Sequence, residues 1–182
     1  MTKPTIERTL LLLRHAKAEH GQAKPDHDRE LAPRGRKDAR AVGEWLRDAS
    51  LAGVLPSALL DLALCSTSER TRQTLDAVCA GGAGVKDARF DERIYNAGAA
   101  SLIDVLREVP DSVNTVLLIG HAPGIPVLAT ALAQDGAGST DAAERLSQGF
   151  PTCGLAVLGF EGRWAALAPE AALLQEFVVP RG

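Results

Sequence analysis

The sequence contains no apolar run long enough to cross a membrane or to form the core of a secretion signal. Its one N-terminal candidate, residues 10–13, is closed by Arg14. Cysteine is scarce: Cys65, Cys79 and Cys153 are odd in number and lack metal-type spacing, which argues against a disulfide framework and for small thiols in a reducing compartment. Charge of one sign is also lacking. Lys and Arg total 20 against 23 Asp and Glu, and the net charge of -3 gives no general attraction to nucleic acid or anionic lipid. There is no internal repeat, and the glycine run at 81–84 lacks the Gly-Lys-Ser/Thr ending of a phosphate loop, so it reads as a turn. These absences predict a cytoplasmic protein with no nucleic-acid or membrane partner and no metal. Any basic site in it must be local. The 182 residues fit one domain, 1–182, with a real core.

What is present is an alternation of strand and helix patterns. Short, continuously apolar runs at 9–13, 61–65 and 115–119 predict buried central strands. Ala39, Val42, Leu46 and Ala49 step by threes and fours, as do Leu102, Val105, Leu106 and Val109, which predicts helices between the strands. Such an order returns the chain for successive parallel strands, so the expected fold class is α/β, a mostly parallel sheet with helices on both faces. Residues 155–159 and 163–168 flank Glu161 and Gly162 and suggest a hairpin that adds an antiparallel edge. Pro33, a capping box of Ser66 with Glu69, and Pro126 mark helix starts. The polar stretch 19–31 and the small-residue stretch 134–140 read as irregular.

Only four histidines occur, and two of them, His15 and His121, directly follow apolar strands. In open α/β sheets ligands bind beyond the carboxyl ends of the strands, and both histidines belong on that rim. The third strand ends there too and runs into Ser66 and Arg70, which places Arg70 in a first helical turn. From that position its planar fork can reach back over the strand ends and hold phosphoryl oxygens in bidentate fashion, as a lysine cannot. Gly120-His121-Ala122-Pro123-Gly124 then brings backbone N–H groups close to a helix start, which favours an anion. Arg14, His15, Arg70, His121 and the N–H of Ala122 therefore converge as a phosphate site that carries a nucleophile.

On these residues the sequence resembles the histidine phosphatase superfamily, which includes the cofactor-dependent phosphoglycerate mutases. The signature reads Leu13-Arg14-His15-Ala16, with alanine where many relatives have glycine, then Ser66 through Arg70 to Gln73-Thr74, then Gly120-His121. Arg14-His15-Ala16-Lys17, the stretch Asp26-His27-Asp28-Arg29-Glu30-Leu31 followed by Pro33-Arg34-Gly35, and the lack of long insertions make it most similar to the compact SixA branch of phosphohistidine phosphatases. The resemblance implies a three-layer α/β/α sandwich of the phosphoglycerate mutase type. It also implies catalysis without metal or other cofactor through a phosphohistidine on His15, with Arg14, Arg70, His121 and Ala122 around the phosphoryl oxygens.

The proton for the leaving group has one candidate donor, Glu92, in a Glu-Arg-x-Tyr stretch similar to the one that holds the acid of the mutase branch. A glutamate before a helix is equally read as a solvated surface residue. Lys17, Asp28 and Arg29 either border the pocket or serve the surface and the loop. His20 and His27 beside His15 raise a metal-site reading that matches no ligand spacing pattern. The expected substrate is phosphohistidine in a partner protein. The alternatives are a small phosphomonoester, such as a sugar phosphate or nucleotide, and a module that binds phospho-ligands without turning them over.

Overall fold

The computed structural model describes residues 7–20 and 24–182. Strand β1 (Glu7–Arg14) lies inside a seven-stranded sheet because both its faces are apolar: Leu10 and Leu12 enter one core layer, Leu11 and Leu13 the other. After it come α1 (Pro33–Leu51), β2 (Leu59–Ser66), α2 (Glu69–Ala80), β3 (Gly84–Asp91) and α3 (Ala99–Arg107). The second half holds β4 (Thr115–Gly120), α4 (Gly124–Leu132), β5 (Ala133–Gly138), α5 (Thr140–Ser147), β6 (Leu155–Glu161) and β7 (Ala172–Val178). The strand order is β3-β2-β4-β1-β6-β7-β5. Every pairing is parallel except those of β6, which runs antiparallel to both β1 and β7.

Residues of α1 and α2 pack on the Leu11 and Leu13 side, those of α3, α4 and α5 on the Leu10 and Leu12 side, which completes the expected three-layer α/β/α sandwich. Register decides where function can sit. Arg14 pairs with Gly120 and Cys65 with Ile119, so β1, β4 and β2 finish level on one rim of the sheet. No helix among the described residues is long and apolar enough to cross a membrane.

Three local expectations need correction, and one strand gave no signal in the sequence. The second hairpin strand is absent from 163–168: Trp164–Ala166 form a 3-10 turn, the Trp164 indole is buried and donates to the Val113 carbonyl at 2.7 Å, and the pairing strand is β7. The glycine turn at 81–84 leads into β3, an edge strand whose exposed Lys86, Asp87 and Arg89 give no apolar run to detect. The stretch 134–140 includes β5, which pairs with β7 only through Ala133 with Ala172 and Gly138 with Leu174, a register too broken for a period-two signal. Ser66 does not cap α2. The cap position is Ser68, and Ser66 ends β2 with its hydroxyl free for another partner.

Candidate active site

The loop after β1 holds its conformation through α1 and α2. Thr74 of α2 accepts a hydrogen bond from the Ala16 N–H at 3.0 Å, and Gln73 accepts one from the Leu31 N–H at 2.9 Å. Gly35 lies so close to Lys17 that a Cβ would stand 2.1 Å from the Lys17 carbonyl oxygen, so only glycine lets the first turn of α1 rest on this loop. On the other side, the Cys153 N–H donates to the Arg14 and His15 carbonyls at 3.1 and 3.3 Å, and the Arg14 N–H donates to the Gly154 carbonyl at 3.1 Å. The Arg14-His15 pair is thereby clamped between two loops.

His15, Arg70 and His121 are all buried, while Arg14 is half-buried. The His15 Nδ1 lies 2.7 Å from the Ala16 carbonyl oxygen. Because a carbonyl only accepts, Nδ1 carries the proton and Nε2 keeps its lone pair. The His121 ring centroid is 5.1 Å from that of His15. Arg70 Nη2 lies 3.2 Å from His121 Nδ1 and can only donate, which fixes the proton of His121 on Nε2, 2.8 Å from the Ser66 hydroxyl.

Both imidazoles are held neutral. Burial pushes His15 down to about 4; the Ala16 carbonyl opposes this, while Arg70 and Arg14 add to it. Burial also pushes His121 down to about 3, aided by His15 and Arg70. The guanidinium groups are incompletely satisfied. Arg14 Nη1 donates to the Phe150 carbonyl at 2.8 Å, and Arg70 reaches the Asp26 carbonyl at 2.6 Å and carboxylate at 3.0 Å. Yet Arg14 Nε and Arg70 Nε are buried and have no partner among the described residues. Buried donors of this kind are costly unless an anion completes them.

The structure thus brings together Arg14, His15, Arg70, His121 and Ala122, all lining one open cleft of about 700 Å³. It does not bring Glu92 in with them. Glu92 is exposed, and of its segment the cleft takes Asn96 directly and Tyr95 indirectly. The Tyr95 hydroxyl donates to the Asp26 carboxylate at 2.6 Å, and its ring stands edge-on to His121 with centroids 5.4 Å apart. Lys17, His20 and Arg29 also line the cleft, whereas His27 turns to the Thr67 hydroxyl at 3.0 Å and stands edge-on to Tyr95. No group of three metal-ligating side chains is assembled among the described residues.

Sequence reasoning missed three participants. Asp26 received no role of its own, although it is the one carboxylate among the described residues lining the cleft. The Tyr95 hydroxyl, then Arg70 and Arg29, hold its carboxyl down to about 2 against the opposing effect of burial. Tyr95, the only tyrosine of the chain, stood three residues from the glutamate that drew attention. Ser66 was read as a helix cap. Its signal was its position at a strand end level with His121, visible only once the register is known.

Comparison with known proteins agrees with this geometry. The family model of the histidine phosphatase superfamily (branch 1) matches residues 10–114. An uncharacterized protein of Mycobacterium tuberculosis is 42% identical over 170 residues, spanning 93% of this chain and 100% of its own. Among solved structures, a candidate phosphohistidine phosphatase SixA from Nakamurella multipartitia superposes with a TM-score of 0.81 at 38% identity, covering 98% of this chain and 99% of that one. A candidate phosphohistidine phosphatase SixA from Agrobacterium tumefaciens superposes with a TM-score of 0.73 at 29% identity, covering 98% and 100%.

Proposed function

We propose, from the premise that the chain belongs to the histidine phosphatase superfamily and is a phosphoryl hydrolase, that it removes phosphate from phosphohistidine in proteins. The observation that carries this reading is the pairing of a neutral nucleophile with a cleft that, among the described residues, holds no protonated carboxylic acid. Its one carboxylate, Asp26, is held ionised and cannot donate a proton near neutral pH.

In the proposed mechanism His15 Nε2 attacks phosphorus in line, and the bond from phosphorus to the substrate ring nitrogen breaks with its electron pair going to that nitrogen. A phosphohistidine substrate protonated on its other ring nitrogen leaves as neutral imidazole and needs no acid from the enzyme. An alkyl phosphate leaves as an alkoxide and does need one. Water then attacks the phosphoryl group on His15, the new P–N bond breaks, and both water protons stay with the released dihydrogen phosphate. Arg14 and Arg70 offset the charge on the transferring group, with the orphaned Nε–H groups among their donors, and His121 and Ala122 complete the wall. The names of the two SixA-like structures support the same substrate class.

The test is kcat/KM on a phosphohistidine-bearing protein domain beside a panel of sugar and nucleotide phosphates. A preference of several orders of magnitude for the phosphoprotein is expected. A preference for a phosphomonoester would keep the His15 chemistry and discard the substrate assignment.

A further inference from the structure

Positive charge is distributed unevenly around the cleft. Beside the polar loop the cations are neutralised, Arg29 by Asp26 at 2.9 Å and Lys24 by Glu30 at 2.6 Å. At the start of α1 Arg36 meets Glu30 at 3.9 Å, but the cations beside it outnumber their partners. Arg34 and Arg181 share the single buried carboxylate of Asp38, at 3.7 and 3.1 Å, and the exposed Lys17 and Lys37 form no ion pair among the described residues. Lys17 lines the cleft, and Arg181 donates to the carbonyl of Thr152, which lines it too, at 3.0 Å. Four cations around one carboxylate therefore make a shelf continuous with the site, in a chain whose net charge is -3.

This shelf opposes the field of its own helix. The 19-residue α1 has no acidic residue in its first turn, and Ala32 at its cap position contributes no side-chain hydrogen bond. Helix starts favour anions, yet this one carries Arg34 and Arg36, whose only ion pairs among the described residues are the long contacts to Asp38 at 3.7 Å and Glu30 at 3.9 Å, so an anion from outside would be favoured there.

Past the shelf lies an apolar groove of about 540 Å³, walled by Trp45, Phe177, Val178, Pro151 and Pro180. Pro151 directly precedes Thr152 of the cleft, and Pro180 directly precedes Arg181 of the shelf, so cleft, shelf and groove form one surface. Helical geometry puts Arg34, Asp38 and Trp45 within about 40° of one another around the axis, with Trp45 about 16 Å along it from Arg34. A small phosphomonoester bound in the cleft has no atoms to reach that far.

We infer that the shelf and groove dock the protein that carries the phosphohistidine, through acidic residues that meet Arg34, Lys37 and Arg181 and an apolar side chain that packs against Trp45. The inference rests on the phosphohistidine reading above and adds the chemistry of the partner's surface: acidic close to the phosphohistidine, apolar further out.

The test uses the Arg34→Gln/Lys37→Glu double variant, whose changes are neutral or favourable for a helix start. The probes are a small helical domain with one exposed phosphohistidine and an acidic surface, the same domain with those acids neutralised, and free N-phosphohistidine. On the acidic domain the variant should lose about tenfold in kcat/KM through KM, a loss that shrinks as salt is raised. On the neutralised domain and on free phosphohistidine it should match the parent protein. Trp45→Ala should raise KM on both domains and leave free phosphohistidine turnover intact, which also reports that it has folded. Equal parent and double-variant values on the acidic domain, or equal losses on free phosphohistidine, would overturn the docking surface while leaving the substrate class standing. A parent protein inactive on all three probes and active on a phosphomonoester would remove the substrate class, and the docking surface with it.

Discussion

Strand β1 carries an arginine near each end, and the two are used in opposite ways. Arg8, at the amino end, is fully buried, and each of its nitrogens has a protein acceptor. Nε donates to the Gly162 carbonyl at 3.1 Å and Nη2 to the Asp111 carbonyl at 2.8 Å, while Nη1 serves the Val113 carbonyl and the Asn114 side chain. Arg14, at the carboxyl end, has an acceptor at Nη1 and, among the described residues, none at its buried Nε, and Arg70 beside it likewise leaves Nε without one. A guanidinium whose donors are all used inside the protein is a structural tie between loops. One whose donors are left over is completed by something that comes and goes. The distinction lies in the hydrogen bonds, since burial is shared by Arg8 and Arg70.

The strongest break of this comparison is at the proposed nucleophile. His15→Ala should abolish turnover while circular dichroism and thermal unfolding report an intact fold; residual turnover at parent rates would refute the covalent mechanism. Next, Arg14→Gln and Arg70→Gln should each lower kcat about 10²-fold to 10³-fold with little change in Tm, because they remove incompletely satisfied charge from the transition state. Arg8→Met should do the reverse, costing about 3 kcal/mol of stability by taking the donor away from the Asp111 and Gly162 carbonyls, with kcat of the folded protein unchanged. Denaturant unfolding beside kcat for the three variants checks whether the two ends separate in this way.

A smaller effect follows from pH. An unfolded histidine titrates near 6.5 and His15 in the fold near 4, so below pH 6.5 the unfolded chain binds a proton the native site refuses. The stability this neutral histidine permits is whole above pH 6.5 and declines as pH falls toward about 4, by roughly 3 kcal/mol. The decline over that window should shrink in His15→Ala, and a parent curve flat from pH 6.5 to 4.5 would contradict the neutral assignment. The smallest effect is expected at Glu92. Glu92→Gln should change phosphohistidine turnover by less than twofold, and a loss of a hundredfold would return it to the acid's role.

Much of this was legible in the chain. The leucines of β1 alternate between two buried faces, so a continuous apolar run could only be a central strand, and the residues just past it could only be rim residues. That logic located Arg14, His15, Arg70, His121 and Ala122 together. It went astray where evidence was indirect. Trp164 looked like part of a strand because residues 163–168 follow a hairpin-like turn at Glu161 and Gly162, yet its indole is drawn to the Val113 carbonyl across the sheet's end. Glu92 stood out by its residue type and a resemblance in its neighbours, whereas Tyr95 reaches the site by packing against His121 and bonding to Asp26.

The sequence by itself determined the strand and helix alternation and which histidines and arginines stand on the rim of the sheet, because these depend on local periodicity and on residues placed directly after strands. Tertiary structure alone decided which nitrogen of His15 is free, that Ser66 serves His121 and caps no helix, that Asp26 enters the cleft, and that Arg8 is satisfied while Arg14 and Arg70 are not. The His15 nitrogen is set by the carbonyl of Ala16 next to it, in a loop pinned by Thr74; the others depend on partners far away in the chain, such as Asp26 with Arg70 or Ser66 with His121, and hydrogen-bond partners at such separations are set by sheet register and loop packing.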